Sequence, residues 1–233
     1  MNKQSNTYTI IYTIILVVVV GAALAGTSLM LKPQQQANAD ADKMKQILTS
    51  AHITPDANDI QSDFARYITE QYIVNADGQR IEGNAFDVNV AQEAKLPVDE
   101  RRLPVYVCQI AENDVKYILP VYGAGLWGPI WGYMAINSDG KTVYGAYFAL
   151  QGETPGLGAE IEKPEFSDQF DGKLLFKDNT FKPIAVVKTG QKPLNGEDYV
   201  DAISGGTITS KGVQSMLENC LSGYSSFLQS LSK

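Results

Sequence analysis

The stretch GYMAINSDGKTVYGAYFALQG, residues 132–152, decides the fold class. Ile136, Val143, Tyr144, Tyr147 and Phe148, β-branched or aromatic, flank Asp139-Gly140. That dipeptide suits a tight hairpin turn, because glycine takes positive φ without a steric penalty. The stretch therefore reads as two antiparallel strands. Upstream, VYVCQI (105–110) and KYILPVYG (116–123) read as two more, so residues 105–151 are the β-rich heart of the chain. Downstream, GKLLFKDNTFKPIAVVKTG (172–190) reads as a further strand pair turning at Asp178-Asn179. Near the C-terminus the period changes. Val213, Met216, Leu217, Cys220, Leu221, Tyr224, Phe227, Leu228 and Leu231 recur at three and four, one continuous apolar stripe of a helix. Such a stripe packs across a sheet. The expected fold is α+β, an antiparallel sheet packed by helices.

The N-terminal end is of another kind. Tyr8–Leu31 is 24 residues long without a charge. As a helix it would span roughly 36 Å, enough to cross a bilayer with some tilt. Tyr8 and Tyr12 sit near its start, where interfacial aromatics belong. A cleaved secretory signal is the rival reading, with Ala37-Asn38-Ala39 as its site, but signal cores run only about 7–15 residues. The expected organisation is an N-terminal tail (1–7), a transmembrane helix (8–31), a polar linker with a short amphipathic helix through Met44, Ile47, Leu48 and Ala51 (32–52), and a folded domain (53–233). Residues 53–104 form an irregular α/β lead-in with a turn at Ala76-Asp77-Gly78. Lys3 precedes the span, and Lys32, Lys43 and Lys45 follow it, a count that leans toward a cytoplasmic domain.

Charge and rare residues exclude several functions. All 26 acidic residues lie after Leu31, against 18 of the 19 lysines and arginines, so the domain is acidic and unsuited to nucleic acid or an anionic lipid surface. Cys108 and Cys220 are far apart and make no metal-ligand spacing; one disulfide or two buried thiols both fit, and the place of Cys220 on the apolar stripe favours the thiols. The only histidine, His52, has no catalytic cluster around it and reads as a surface residue. No metal site and no hydrolytic triad are expected.

Three stretches carry chemistry. DAISGGTITSKG (201–212) opens the last helix. A helix N-terminus offers unpaired N–H groups and partial positive charge, and adjacent glycines let the backbone approach a ligand. Ser204, Thr207, Thr209 and Ser210 add hydroxyls. Lys211 stands in the first turn, where the dipole disfavours a cation unless an anion sits opposite. A phosphate site and a plain Ser/Thr cap both fit. ETPGLG (153–158) has Pro155-Gly156 for a type II turn, and fits equally a connecting loop. GAGLWGPIWGYMA (123–135) sets Trp127, Trp131 and Tyr133 among glycines, as core fillers or as walls for a flat ring.

Together these stretches resemble one family. DAISGGTITS is similar to the flavinylation motif of the FMN-binding domain shared by the NqrC subunit of the Na+-translocating NADH:quinone reductase and the G subunit of the Rnf complex. The family pattern is Asp, two residues, Ser or Thr, then Gly-Ala-Thr; Asp201, Ser204, Gly205 and Thr207 match, and Gly206 stands where alanine is usual. ETPGLG is similar to the family's loop beside the flavin. The anchor matches too, so the resemblance covers nearly the whole chain, and YGAGLWGPIWGYMA (122–135) favours the quinone-reductase branch.

The resemblance implies FMN bound covalently to Thr207 through a phosphoester, with Ser204, Gly205, Thr209 and Lys211 at the phosphate and Trp127, Glu153, Thr154, Gly156 and Leu157 near the ring. It implies a flavin transferase that uses FAD, partner subunits in the same bacterial inner membrane, and a domain on its outer, periplasmic face, against the lysine count. It implies a flavoprotein relaying electrons in a complex that oxidises NADH, reduces quinone and exports sodium. The Rnf protein, served by ferredoxin, and an anchored binding module without flavin are the alternatives.

Overall fold

The structure, a computed structural model, describes residues 6–193 and 196–232. The chain divides into two compact units, one ending at Lys43 and the other starting at Met44. Helix α1 (Asn6–Ser50) begins in the first. It is long and apolar enough to cross a membrane, with a mean hydropathy of 2.6 over its most apolar 18 residues and none of that window buried. Of the expected tail, residues 1–5 lie outside the described residues, and Asn6 and Thr7 are already helical.

The polar stretch after Leu31 differs from the expected linker: it is helical, continuing through Pro33 to Ser50. Glutamine, alanine, lysine and methionine all favour helix, and Gln36 donates to Asp40 Oδ1 at 2.8 Å, one turn on. Polarity marks the loss of the apolar run, not the loss of helix.

The second unit is built on a six-stranded antiparallel sheet. Its strands are β1 (Ile68–Val74), β2 (Arg80–Ile81), β3 (Leu103–Ala111), β4 (Asp114–Ala124), β5 (Pro129–Asn137) and β6 (Val143–Leu150), in the order β2-β1-β3-β4-β5-β6. Expected strands β3 to β6 are all present. β5 and β6 form the hairpin read from residues 132–152, with Ile130 opposite Leu150 and Ile136 opposite Val143. Asp139 builds its turn: Oδ1 accepts from the N–H groups of Lys141 and Thr142 at 2.8 and 2.9 Å, and Oδ2 accepts from the Thr142 hydroxyl at 2.6 Å.

The lead-in supplies α2 (Ile60–Tyr67), then β1 and β2 joined by the expected turn, where Gly78 N donates to Asn75 O at 2.9 Å, and further on the short helix α3 (Val90–Glu93). Strand pairing of β1 was not legible, because ITEQYIV mixes exposed and buried positions without regular alternation.

Successive strand residues face opposite sides, and both sides are covered. Leu119, Val121, Met134, Ile136 and Phe148 face one core; Ile118, Tyr106, Tyr133 and Ala135 face the other. The second core is closed by Ile47, Leu48 and Ala51, the amphipathic turn expected there. The first is closed by the last helix, which is not continuous. Helix α5 (Thr207–Leu221) is followed by a tight turn over Ser222–Tyr224 and helix α6 (Ser225–Leu231). The stripe survives the break, since Val213, Met216, Leu217, Cys220, Leu221, Tyr224, Phe227 and Leu228 are all buried.

Between β6 and α5 the chain forms α4 (Pro164–Ser167), β7 (Phe176–Lys177), β8 (Thr180–Phe181), β9 (Ala185–Val187) and β10 (Tyr199–Asp201). β7 and β8 turn at Asp178-Asn179 as expected, with φ of 50° and 59°. β9 pairs in parallel with β10. Cys108 and Cys220 are two buried free thiols. His52 is 40% exposed in its side chain, and its Nε2 lies 3.0 Å from Asp171 Oδ2 and 3.0 Å from Tyr144 O.

Candidate functional site

The site forms where β10 ends and α5 begins. Ala202 N donates to Val187 O at 2.7 Å, keeping the strand exit on β9. Gly205 then takes a φ of +77°, which turns the chain into the helix. Gly206 N donates to Ile203 O at 3.0 Å, and Ser210 N donates to Gly206 O at 2.9 Å. Gly206 holds the cap position and has no side chain to cap with. The plain-cap alternative raised by the hydroxyls is not what they do: Ser210 Oγ instead accepts from Ile203 N at 3.0 Å, closing the loop on itself.

Thr207 is the first residue of α5, and it is exposed. It lines a cavity of about 510 Å³ with Ser204, Gly205, Ser210 and Lys211, and the lining also includes Val187, Lys188, Thr189 and Gln191. Four of the five residues expected at the phosphate thus meet around one space. The fifth does not. Thr209 is 1% exposed and donates its hydroxyl to Glu153 Oε2 at 2.6 Å. The Lys188–Gln191 wall was missed, because a Lys-Thr-Gly after a strand reads as an ordinary turn.

Glu153 brings in the other two stretches. Its Oε1 accepts from Trp127 N at 2.8 Å. Burial pushes its pKa up, but hydrogen bonding from the Thr209 hydroxyl and from the backbone of the Trp127 loop outweighs burial and holds it below the ordinary glutamate value. The loop after Glu153 makes the expected turn: Gly156 has φ +76°, and Leu157 N donates to Thr154 O at 3.1 Å. Gly158 is buried where any side chain would meet Thr209 Oγ1 and Glu153 Oε2, so only glycine lets this loop lie against α5.

The outer surface at this corner is apolar. Trp127 is 70% exposed, and Leu126, Leu157 and Ile208 are exposed too. Thr154 and Gly156 are exposed at the same loop. The sheet and helix thus join all three chemistry-bearing stretches, 124–128, 153–158 and 201–211, at one corner of the domain.

Residues 125–222, which hold this corner, match the FMN-binding domain family. The Na(+)-translocating NADH-quinone reductase C subunit of Vibrio vulnificus (strain YJ016) is 37% identical over 213 residues, covering 84% of this chain and 82% of its own. The chain belongs to the NqrC family. The Yersinia pestis member is 33% identical over 250 residues, covering 98% of this chain and 94% of its own. Two solved NqrC structures share the fold. The crystal structure from Parabacteroides distasonis ATCC 8503 has a TM-score of 0.80 at 48% identity, over 85% of this chain and 96% of that one. Shewanella oneidensis NqrC has a TM-score of 0.67 at 27% identity, over 83% and 98%. These relatives select the quinone-reductase side of the expected resemblance. The residues present suit FMN: hydroxyls of Ser204 and Thr207, ammonium groups of Lys188 and Lys211, and the open first turn of α5 surround a space of the size that holds small cofactors.

Proposed function

We propose that this chain is the membrane-anchored flavoprotein subunit of an Na+-translocating NADH:quinone reductase, and that Thr207 carries FMN through a phosphoester. The observation that carries the reading is the exposed Thr207 at the first position of α5, on a cavity it shares with Ser204, Gly205 and Lys211. In the attachment step the Thr207 hydroxyl oxygen bonds to the FMN phosphorus of FAD, the pyrophosphate bond breaks, AMP leaves, and the hydroxyl proton is lost. A separate flavin transferase performs that step, and Thr207 is its acceptor.

Ser204, Gly205 and Lys211 would hold the phosphate, helped by the first-turn N–H groups of α5. Trp127 and Leu157 would shield the ring from water, with Thr154 and Gly156 on the loop beside it. When bound, FMN supplies the electron-carrying chemistry, and a covalent link keeps it from dissociating between transfers. No acid–base side chain is needed for that work, which agrees with a sequence that holds a single histidine. Residues 8–31 span the inner membrane, and the FMN-binding domain, 53–233, lies on its periplasmic side among the other subunits. The complex as a whole oxidises NADH, reduces quinone and moves sodium; this protein relays electrons between its neighbours.

The test is direct. Full-length protein made with a flavin transferase should give a fluorescent band on a denaturing gel, with FMN on the peptide containing Thr207. Thr207→Val should give a dark band and an unchanged circular dichroism spectrum. Covalent flavin in that variant would remove Thr207 from the role.

A further inference from the structure

Glu153 is 6% exposed, and no ion pair to a cation is found for it among the described residues. A buried carboxylate is ordinarily matched by a positive charge or a metal. Here the matching is done by two hydrogen bonds from distant segments. The Trp127 N–H, in the loop between β4 and β5, donates to Oε1 at 2.8 Å, and the Thr209 hydroxyl, in the first turn of α5, donates to Oε2 at 2.6 Å. Each carboxylate oxygen is thus engaged by a different segment.

Both partners belong to the candidate site. Trp127, 70% exposed, stands on the loop, and Thr209 lies two residues beyond Thr207 in the same helical turn. Gly158 seals the arrangement, because a side chain there would strike both Glu153 and Thr209.

We propose that Glu153 is the positioning residue of the flavin acceptor site: its carboxylate holds the Trp127 loop and the first turn of α5 in one register. The Thr207 hydroxyl and the Trp127 wall then meet the same flavin at a fixed separation. This rests on the reading of Thr207 as the acceptor. It requires a side chain that reaches both partners. A glutamine serves both, its Oε1 accepting from the Trp127 N–H and its NH2 donating to the Thr209 hydroxyl oxygen, whereas an alanine serves neither. An aspartate keeps the charge but is one methylene shorter.

The test uses the full-length chain as substrate for a flavin transferase with FAD, comparing wild type, Glu153→Ala, Glu153→Gln, Glu153→Asp and Thr209→Val. Attachment is followed as kcat and KM for the chain, and the attached flavin by its visible spectrum and midpoint potential. Glu153→Ala and Thr209→Val should lower kcat by about tenfold or more, as a misplaced acceptor does, with KM nearly unchanged. The flavin that does attach to these two should show a shifted spectrum and potential, while Glu153→Gln should recover most of the loss and Glu153→Asp part of it. Thr209→Val keeps the side-chain shape and leaves the Trp127 N–H on Glu153, so it decides the matter if Glu153→Ala does not fold. Folded Glu153→Ala and Thr209→Val variants with wild-type kcat, spectrum and potential would overturn the positioning role alone. A wild-type chain that takes no flavin on Thr207 would overturn the acceptor reading, and this inference with it.

Discussion

Gly206 donates its N–H to Ile203 O at 3.0 Å, and a methyl group on residue 206 would stand 3.1 Å from both Cβ and Cγ2 of Ile203. The family pattern has alanine at this position. The backbone of Gly206 has φ −103°, which any L residue can adopt, so the obstacle is contact and not conformation. Gly206→Ala should reduce the freedom of the unfolded chain, a gain of about 0.4–1 kcal/mol, offset by a few tenths of an ångström of movement in Ile203. The expected result is a melting temperature close to wild type and full competence for flavin attachment, read from thermal unfolding and the fluorescent gel.

Gly205 should behave otherwise. Its φ is +77°, and an added Cβ would lie 2.7 Å from Leu157 Cδ2. Left-handed backbone costs an L residue about 1–2 kcal/mol. Gly205→Ala should therefore lose about that much stability in urea unfolding and should also displace Leu157 from the site. Neighbouring glycines thus give different outcomes, one near-neutral and one destabilising, a contrast that no generic loosening of the loop reproduces.

Acid should weaken the Glu153 clamp. The folded protein holds this carboxyl below its ordinary value, because hydrogen bonds to the anion from Thr209 and the Trp127 loop outweigh the cost of burial. A depressed carboxyl stabilises the fold above its unfolded pKa, and that stabilisation disappears as pH falls through the folded value. Wild type should lose stability as pH drops below about 4.3, the ordinary glutamate value, and Glu153→Gln should show a shallower acid limb. Melting temperatures from about pH 7 down to about pH 3 would measure the difference across that window.

The thiols should be silent in the native state. Burial pushes the Cys108 thiol up to about 12, and it raises Cys220 as well. Reaction requires thiolate and access, and both are denied. Ellman's reagent in mildly alkaline buffer should find almost no thiol in folded protein and both cysteines once guanidinium is added.

Much of this is legible in residue order because the signals are local. Asp139-Gly140 announces its hairpin, and the three-and-four spacing from Val213 to Leu228 announces the helix that packs on the sheet. The break at Ser222–Tyr224 is hidden, since a tight turn that keeps the apolar side chains inward preserves the stripe. The continuation of α1 past Leu31 is hidden for a related reason: polarity and helicity are separate properties. In the candidate site, the grouping of Ser204, Gly205, Thr207 and Lys211 around one cavity follows from their closeness in sequence, whereas the contact between Glu153 and Thr209 does not. A hydrogen bond across 56 positions depends on how α5 lies against the 153–158 loop, and nothing in either segment states that alone.

Thr207 follows every strand of the sheet and both loops against which its turn is fixed. Met216 and Leu217, further along the same helix, seat α5 in the core beside strands that lie far earlier in the sequence. The local shape at Thr207 is therefore a readout of the whole domain: a distant core substitution that tilts α5 would alter this threonine without touching it.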